Sequence, residues 1–140
     1  LGRPSTWLGR LCGTLTLSFL STAHARNMIE QITPAQLSDW IQAQAAHGTA
    51  VVLDVREPWE VQTASVKANG FELICIPMHL IPSRLQDLPS DRPIACLCHH
   101  GGRSMQVAMF LTQQGFDPVA NIAGGIFAWS SQVDPSVPTY

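Results

Sequence analysis

The chain has 140 residues, 46% of them hydrophobic and only 13% charged, a balance that suits one packed domain and excludes general disorder. A net charge of −2 argues against nucleic acid or an acidic membrane as the main partner. No apolar run reaches the ~20 residues of a membrane span, and four cysteines are too few for a disulfide scaffold.

Residues 1–27 differ from the rest. They carry Arg3, Arg10 and Arg26 and no acid, whereas residues 28–140 set five basic side chains against all ten acids, leaving −5. An apolar stretch from Leu11 to Leu20 precedes Ala23-His24-Ala25, the layout of a secretory signal peptide. The preferred alternative is upstream translated sequence or a cloning remnant ahead of Met28. A start at Met28 goes with a cytoplasmic protein, and a signal peptide over 1–25 with a periplasmic or secreted one. Either way the segment, with Cys12, is set apart from one domain over 28–140.

From Met28 onward, strand and helix patterns alternate. Thr33-Pro34-Ala35-Gln36 has capping-box spacing with proline at the first helical position, and Leu37, Trp40, Ile41 and Ala45 continue it at helical period up to Gly48. Ala50 to Val55 is apolar apart from Asp54, as in a parallel strand buried on both faces. A short helix starts at Glu57-Pro58-Trp59-Glu60. Leu73 to Ile76 is a second strand, Pro82 to Leu88 a helix, Ile94 to Cys98 a third strand, and Ser104 to Gln114 a helix ending at Gly115. Val119 to Ala123 makes a fourth strand, followed by Gly124-Gly125 and a short helix through Trp129. Residues 132–140 are read as a surface tail. This alternation predicts an α/β fold with a mainly parallel sheet, whose ligands sit beyond the carboxyl ends of the strands.

Cys98-His99-His100-Gly101-Gly102-Arg103-Ser104 is the most informative stretch. A cysteine ends a buried strand, a glycine loop follows, and a helix begins. Such a cysteine meets the free N–H groups and positive dipole end of the helix. The glycines let successive N–H groups form an anion-binding nest, and Arg103 adds a permanent cation. All three favour the nucleophilic thiolate. A buried core cysteine before an ordinary loop is the plainer reading, and the paired glycines and the arginine weigh against it.

With these motifs the segment from Ile32 to Trp129 resembles a single-domain rhodanese, of the sulfurtransferase family. The resemblance rests on Leu53 to Glu60 (Asp-Val-Arg-Glu at its centre), Ile76-Pro77, the Cys98–Ser104 loop, and Asn121 to Trp129 with its paired glycines. It implies a three-layer sandwich, a mainly parallel central sheet flanked by helices on both faces. It also implies a reaction in which the loop cysteine takes a sulfane sulfur from thiosulfate or a persulfide and passes it to cyanide or a thiol. Cys98 is then the nucleophile, and the N–H groups of His99 to Ser104 stabilise thiolate and persulfide. Arg103 is the candidate for the anionic end of a donor. His99 and His100 are either helpers or solvated loop residues, and Asp54 and Arg56 are expected to brace the loop. Glu57 and Glu60 are candidate partners for Arg56, and Trp129 reads as core.

Rival readings are a Cys-dependent phosphatase and a non-catalytic docking or sulfur-relay module. Phosphatases of related fold place five residues between cysteine and arginine; four stand between Cys98 and Arg103, a cradle tight for three phosphoryl oxygens. Cys96, Cys98, His99 and His100 are all metal-ligand types, yet adjacent histidines are expected to diverge, and neither metal nor organic cofactor is required. Cys96 reads as a buried hydrophobe, with a resolving role for Cys75 or Cys96 as a minor alternative. Expected partners are a small sulfur donor, its acceptor and a sulfur-relay protein, with no nucleic acid and no membrane.

Overall fold

The computed structural model describes Gly2 and residues 28–140; the expectations for the leader, Cys12 included, lie outside the described residues. Five strands, β1 (Glu30–Ile32), β2 (Val51–Asp54), β3 (Glu72–Cys75), β4 (Ile94–Leu97) and β5 (Val119–Ile122), form one sheet in the order β1-β5-β4-β2-β3. Every pairing is parallel. β2 and β4 lie in the middle and are buried along their whole length, which is why their sequences run apolar instead of alternating.

Strand alternation sends successive side chains to opposite layers. One face collects Val52, Ala95, Leu97, Ala120 and Ile122 under α1 (Leu37–Ala43) and α4 (Gly125–Gln132). Trp40 of α1 and Ile126 and Trp129 of α4 fill this layer, so Trp129 is core, edge-on to Phe71 at 6.1 Å. The other face collects Val51, Leu53, Ile94 and Cys96 under Val107, Ala108 and Leu111 of α3 (Gly102–Gln113). Each such fully buried aliphatic contributes roughly 1.5–3 kcal/mol. A short α2 (Pro58–Thr63) follows β2.

Three elements differ from the sequence expectation. β1 is too short to show a pattern, with only Ile32 buried. The helix expected over Pro82–Leu88 is instead a pair of 3-10 segments, Met78–Leu80 and Pro82–Asp87, with non-helical geometry at Arg84. Pro82 has no N–H to return to Met78, so the chain closes i→i+3 bonds such as Arg84 N–H to the Ile81 carbonyl, 3.1 Å. The segment after α4 lies partly on the surface, but Val137 is buried in the core and Tyr140 returns to the site.

The strand order places that site. The chain leaves β2 toward β3 on one side and β4 toward β5 on the other. The carboxyl ends of β2 and β4 therefore flank the switch point where such sheets bind ligands. Val55-Arg56 and Cys98-His99 emerge there.

Candidate active site

Cys98 follows the last residue of β4 and points to the same face as Cys96. Gly101 takes φ +110°, a left-handed conformation that admits glycine readily, and its N–H turns back to donate to Cys98 Sγ at 3.1 Å. α3 begins at the next residue, so the sulfur sits at the amino end of a twelve-residue helix.

Ser104 Oγ lies 3.2 Å from the same sulfur and 2.6 Å from Asn121 Oδ1. Asn121 spends both amide N–H groups elsewhere, on Gln31 Oε1 (2.9 Å) and the Gly101 carbonyl (3.1 Å), so its oxygen is the acceptor facing Ser104. The single hydroxyl proton therefore has two claimants. It goes to Asn121 when the sulfur is a thiol able to donate to Oγ, and must swing to the sulfur when that is an anion.

The paired glycines at the start of α4 let its first turn hold the loop from outside. Ile126 N–H donates to the Cys98 carbonyl (2.9 Å) and Phe127 N–H to that of His99 (3.1 Å). With these two carbonyls held outward, the inner side is left to N–H groups. A Cβ on Gly125 would meet both carbonyl oxygens at 2.4 Å, so the approach needs glycine there.

The arginines take separate partners. Arg56 is buried and uses all five N–H donors: Nε and Nη2 on Asp54 (2.9 and 2.6 Å), Nη2 also on the Ala64 carbonyl, and Nη1 on the Glu60 carbonyl and Tyr140 Oη. Burial opposes its charge, but Asp54 and Tyr140 outweigh this and its pKa stands above the ordinary value. Arg103 pairs with Glu60 through two parallel 2.8 Å bonds. Glu60 also accepts from the Glu57 N–H (2.8 Å) and Tyr140 Oη (3.0 Å). Hydrogen bonds from Arg103 are the main reason its carboxyl is lowered to about 2, against the cost of burial. Thus Glu60 reaches Arg56 through its backbone carbonyl, and its carboxylate belongs to Arg103. Glu57 faces His79 at 3.7 Å instead.

His99 and His100 do not diverge as expected. Their ring centroids are 3.9 Å apart, and His99 also stacks on Tyr140 at 4.0 Å with planes 5° apart. Burial, then the neighbouring His100, hold His99 below the usual histidine pKa, and its Nε2 is buried without a hydrogen-bond partner. Among the described residues no three His, Cys, Asp or Glu side chains group as a metal site. Cys96 is fully enclosed, and burial pushes its thiol up. Cys75 pairs in register with Asp54, whose other neighbour is Leu97. Its side chain thus leaves the sheet with Leu97, opposite to Cys98, which disfavours a resolving role.

The structure thus gathers Cys98, Gly101 and Ser104 around one sulfur, sets Asp54 and Arg56 behind β2, and joins Arg103 to them through Glu60 and Tyr140. Asn121, Gln31 and Tyr140 escaped the sequence reading. A polar residue inside a strand buried on both faces was the available signal for Asn121; nothing local marks Tyr140. A groove of about 610 Å³ between Leu37, Phe71, Trp129 and Val133 contains none of these residues.

Residues 33–132 match the family model described as a Rhodanese-like domain. A protein called Sulfurtransferase from Allochromatium vinosum is 34% identical over 110 residues, covering 79% of this chain and 96% of that protein. The Rhodanese-like/PpiC domain-containing protein 12, chloroplastic, of Arabidopsis thaliana is 38% identical over 128 residues, covering 89% of this chain, which spans only 42% of that longer protein. The crystal structure of a rhodanese-related protein from Thermoplasma volcanium superposes with TM-score 0.59 at 30% identity, over 78% of this chain and 95% of that one. By fold, by the loop at its switch point and by sequence, the chain belongs to the rhodanese-like domain family.

Proposed function

We propose that the protein is a sulfurtransferase that carries a sulfane sulfur on Cys98. The observation that supports this most directly is the environment of Sγ, with the Gly101 N–H and the Ser104 hydroxyl directed at one sulfur at the amino end of α3. The Gly101 N–H is fixed before reaction and the Ser104 hydroxyl needs only to rotate from Asn121, so an anionic sulfur is stabilised at little reorganisation cost.

In the first half-reaction the Cys98 thiolate attacks the outer sulfur of thiosulfate or a persulfide. The donor S–S bond breaks, the leaving sulfite or thiolate keeps the electron pair, and Cys98 becomes a persulfide. In the second, cyanide or an acceptor thiolate attacks the outer sulfur and the Cys98 thiolate is released. No net oxidant is needed, and the two steps give ping-pong kinetics. His99 to Ser104 form the cradle; Asp54 and Arg56 brace the chain behind it. Arg103 orders the first turn of α3 through Glu60, whose carboxylate offsets its charge, and is the candidate for steering an anionic donor. Cytoplasmic action, with or without a relay partner, completes the reading. No described helix is long and apolar enough to cross a membrane.

The test is direct. The protein is incubated with thiosulfate or persulfides, its intact mass recorded, and cyanide added to release thiocyanate. The expected result is a gain of one sulfur atom that Cys98→Ser lacks, with a loss of turnover of about 10³-fold or more. Absence of the adduct with every donor overturns the reading, and turnover of a phosphotyrosine analogue favours the phosphatase.

A further inference from the structure

Five rings form one continuous ridge beside the loop. Trp59 meets Tyr140 at 6.0 Å, Tyr140 stacks on His99 at 4.0 Å, His99 lies 3.9 Å from His100, and His100 lies 5.2 Å from Phe127. The ridge starts in the first turn of α2, crosses the residue bonded to Cys98, and ends in the first turn of α4. Its ends are open, with Trp59 61% and Phe127 51% exposed. Aromatic side chains this exposed, linked ring to ring through the residue next to the candidate nucleophile, offer apolar contact area to whatever the cysteine meets.

The charges beside the ridge cancel in pairs. Arg103 gives two parallel bonds to Glu60 and Arg56 gives two to Asp54. A dianion such as thiosulfate therefore finds no unpaired cation in either pair, and entering beside Glu60 sets it near a carboxylate. A donor whose sulfur bears one negative charge at most, and whose remaining bulk is apolar, meets neither penalty and gains the rings.

We propose that the ridge Trp59–Tyr140–His99–His100–Phe127 binds the organic group of the sulfur donor, so that the site prefers organic sulfane-sulfur compounds with an apolar or aromatic substituent over inorganic thiosulfate. This rests on Cys98 acting as the sulfur carrier. With an organic thiosulfonate the step balances without a proton. Cys98 S⁻ forms a bond to the terminal sulfur, the S–S bond breaks, and the sulfinate departs with the electron pair. Burial, then the neighbouring His100, lower the basicity of His99, which disfavours charge on that ring.

Three donors test this: thiosulfate, methanethiosulfonate and benzenethiosulfonate. Each kcat/KM, with cyanide as acceptor, is divided by the rate of the same donor with a free thiol, which removes intrinsic reactivity. The expected order is thiosulfate lowest and benzenethiosulfonate highest, with at least a tenfold step between the two thiosulfonates. In Trp59→Ala and Phe127→Ala the benzene-to-methane ratio should fall toward one. In Glu60→Gln, which frees the Arg103 fork, the thiosulfate value should rise relative to both. Thiosulfate equal to or better than benzenethiosulfonate overturns the inference while leaving Cys98 transfer intact, as does an unchanged ratio in both ridge variants. Failure of all three donors to load Cys98 overturns the sulfur-carrier reading and this inference together.

Discussion

The segment behind β2 and the first turn of α3 each hold one arginine bonded to one carboxylate, and they use the pair for different ends. Arg56 and Asp54 are both almost completely buried, at 0% and 1% side-chain exposure, and every guanidinium N–H has an acceptor. Arg103 keeps 36% exposure over a Glu60 that is only 5% exposed. An ion pair out of water must satisfy all its donors or lose stability, whereas one at a rim keeps a solvated side that a ligand can approach. Tyr140 joins the two regions, accepting from Arg56 and donating to Glu60.

The sharpest way to break this contrast is Arg56→Met. It leaves Asp54 buried without its partner and should cost about 3–5 kcal/mol, read as a fall in the urea midpoint at unchanged slope. Converting both partners, Asp54→Leu with Arg56→Met, should recover part of that loss, because two apolar side chains leave no buried charge. A double variant no better than the single one would mean that the carbonyls of Glu60 and Ala64 matter more than the pair.

Arg103→Met should cost less, about 1–3 kcal/mol, since Glu60 retains the Glu57 and Tyr140 donors. Its larger effect is expected on transfer, as a rise in KM for anionic donors. An Arg103 loss as large as the Arg56 loss would erase the distinction between the regions.

Acid titration sharpens the same point. Glu60 is lowered from its ordinary 4.5 to about 2, chiefly by Arg103. A depressed carboxylate stabilises the fold above its unfolded pKa and loses that contribution as pH falls toward the folded value. The pair should therefore lose on the order of 2 kcal/mol between about pH 4.5 and 2, a figure reduced for the exposure of Arg103. In Arg103→Met the fall in that window should be shallower; an equal fall would assign the acid sensitivity elsewhere. The smallest effect is expected in the remote groove, where Lys67→Ala should change stability by under about 0.5 kcal/mol and leave sulfur transfer as it was.

Much of the site was legible as chemistry. The order of cysteine, glycines, arginine and serine from Cys98 to Ser104 states a strand end, a tight loop and a helix start, and all three are present. The family resemblance, not the spacing, suggested Asp54 and Arg56 as a brace; the structure bonds them to each other at the end of a doubly buried strand. The partner of Arg103 was not readable. Glu57, Glu60, Asp54 and both arginines offer several pairings of equal local merit, and only the tertiary approach of Glu60 to Arg103 selects between them. The tail misled for a related reason, because two prolines and exposed polar residues look alike whether or not Tyr140 returns to the site.

What the sequence determined by itself was the class of fold and the candidate nucleophile, since apolar periodicity, glycine freedom and loop spacing are properties of neighbouring residues. What only the tertiary structure decided was how charge and aromatic surface are arranged around that nucleophile. Glu60 and Arg103 are 43 positions apart, and Arg56 and Tyr140 are 84. Contacts over such separations depend on the strand order that brings the ends of β2, β4 and β5 together, and local propensities do not encode it.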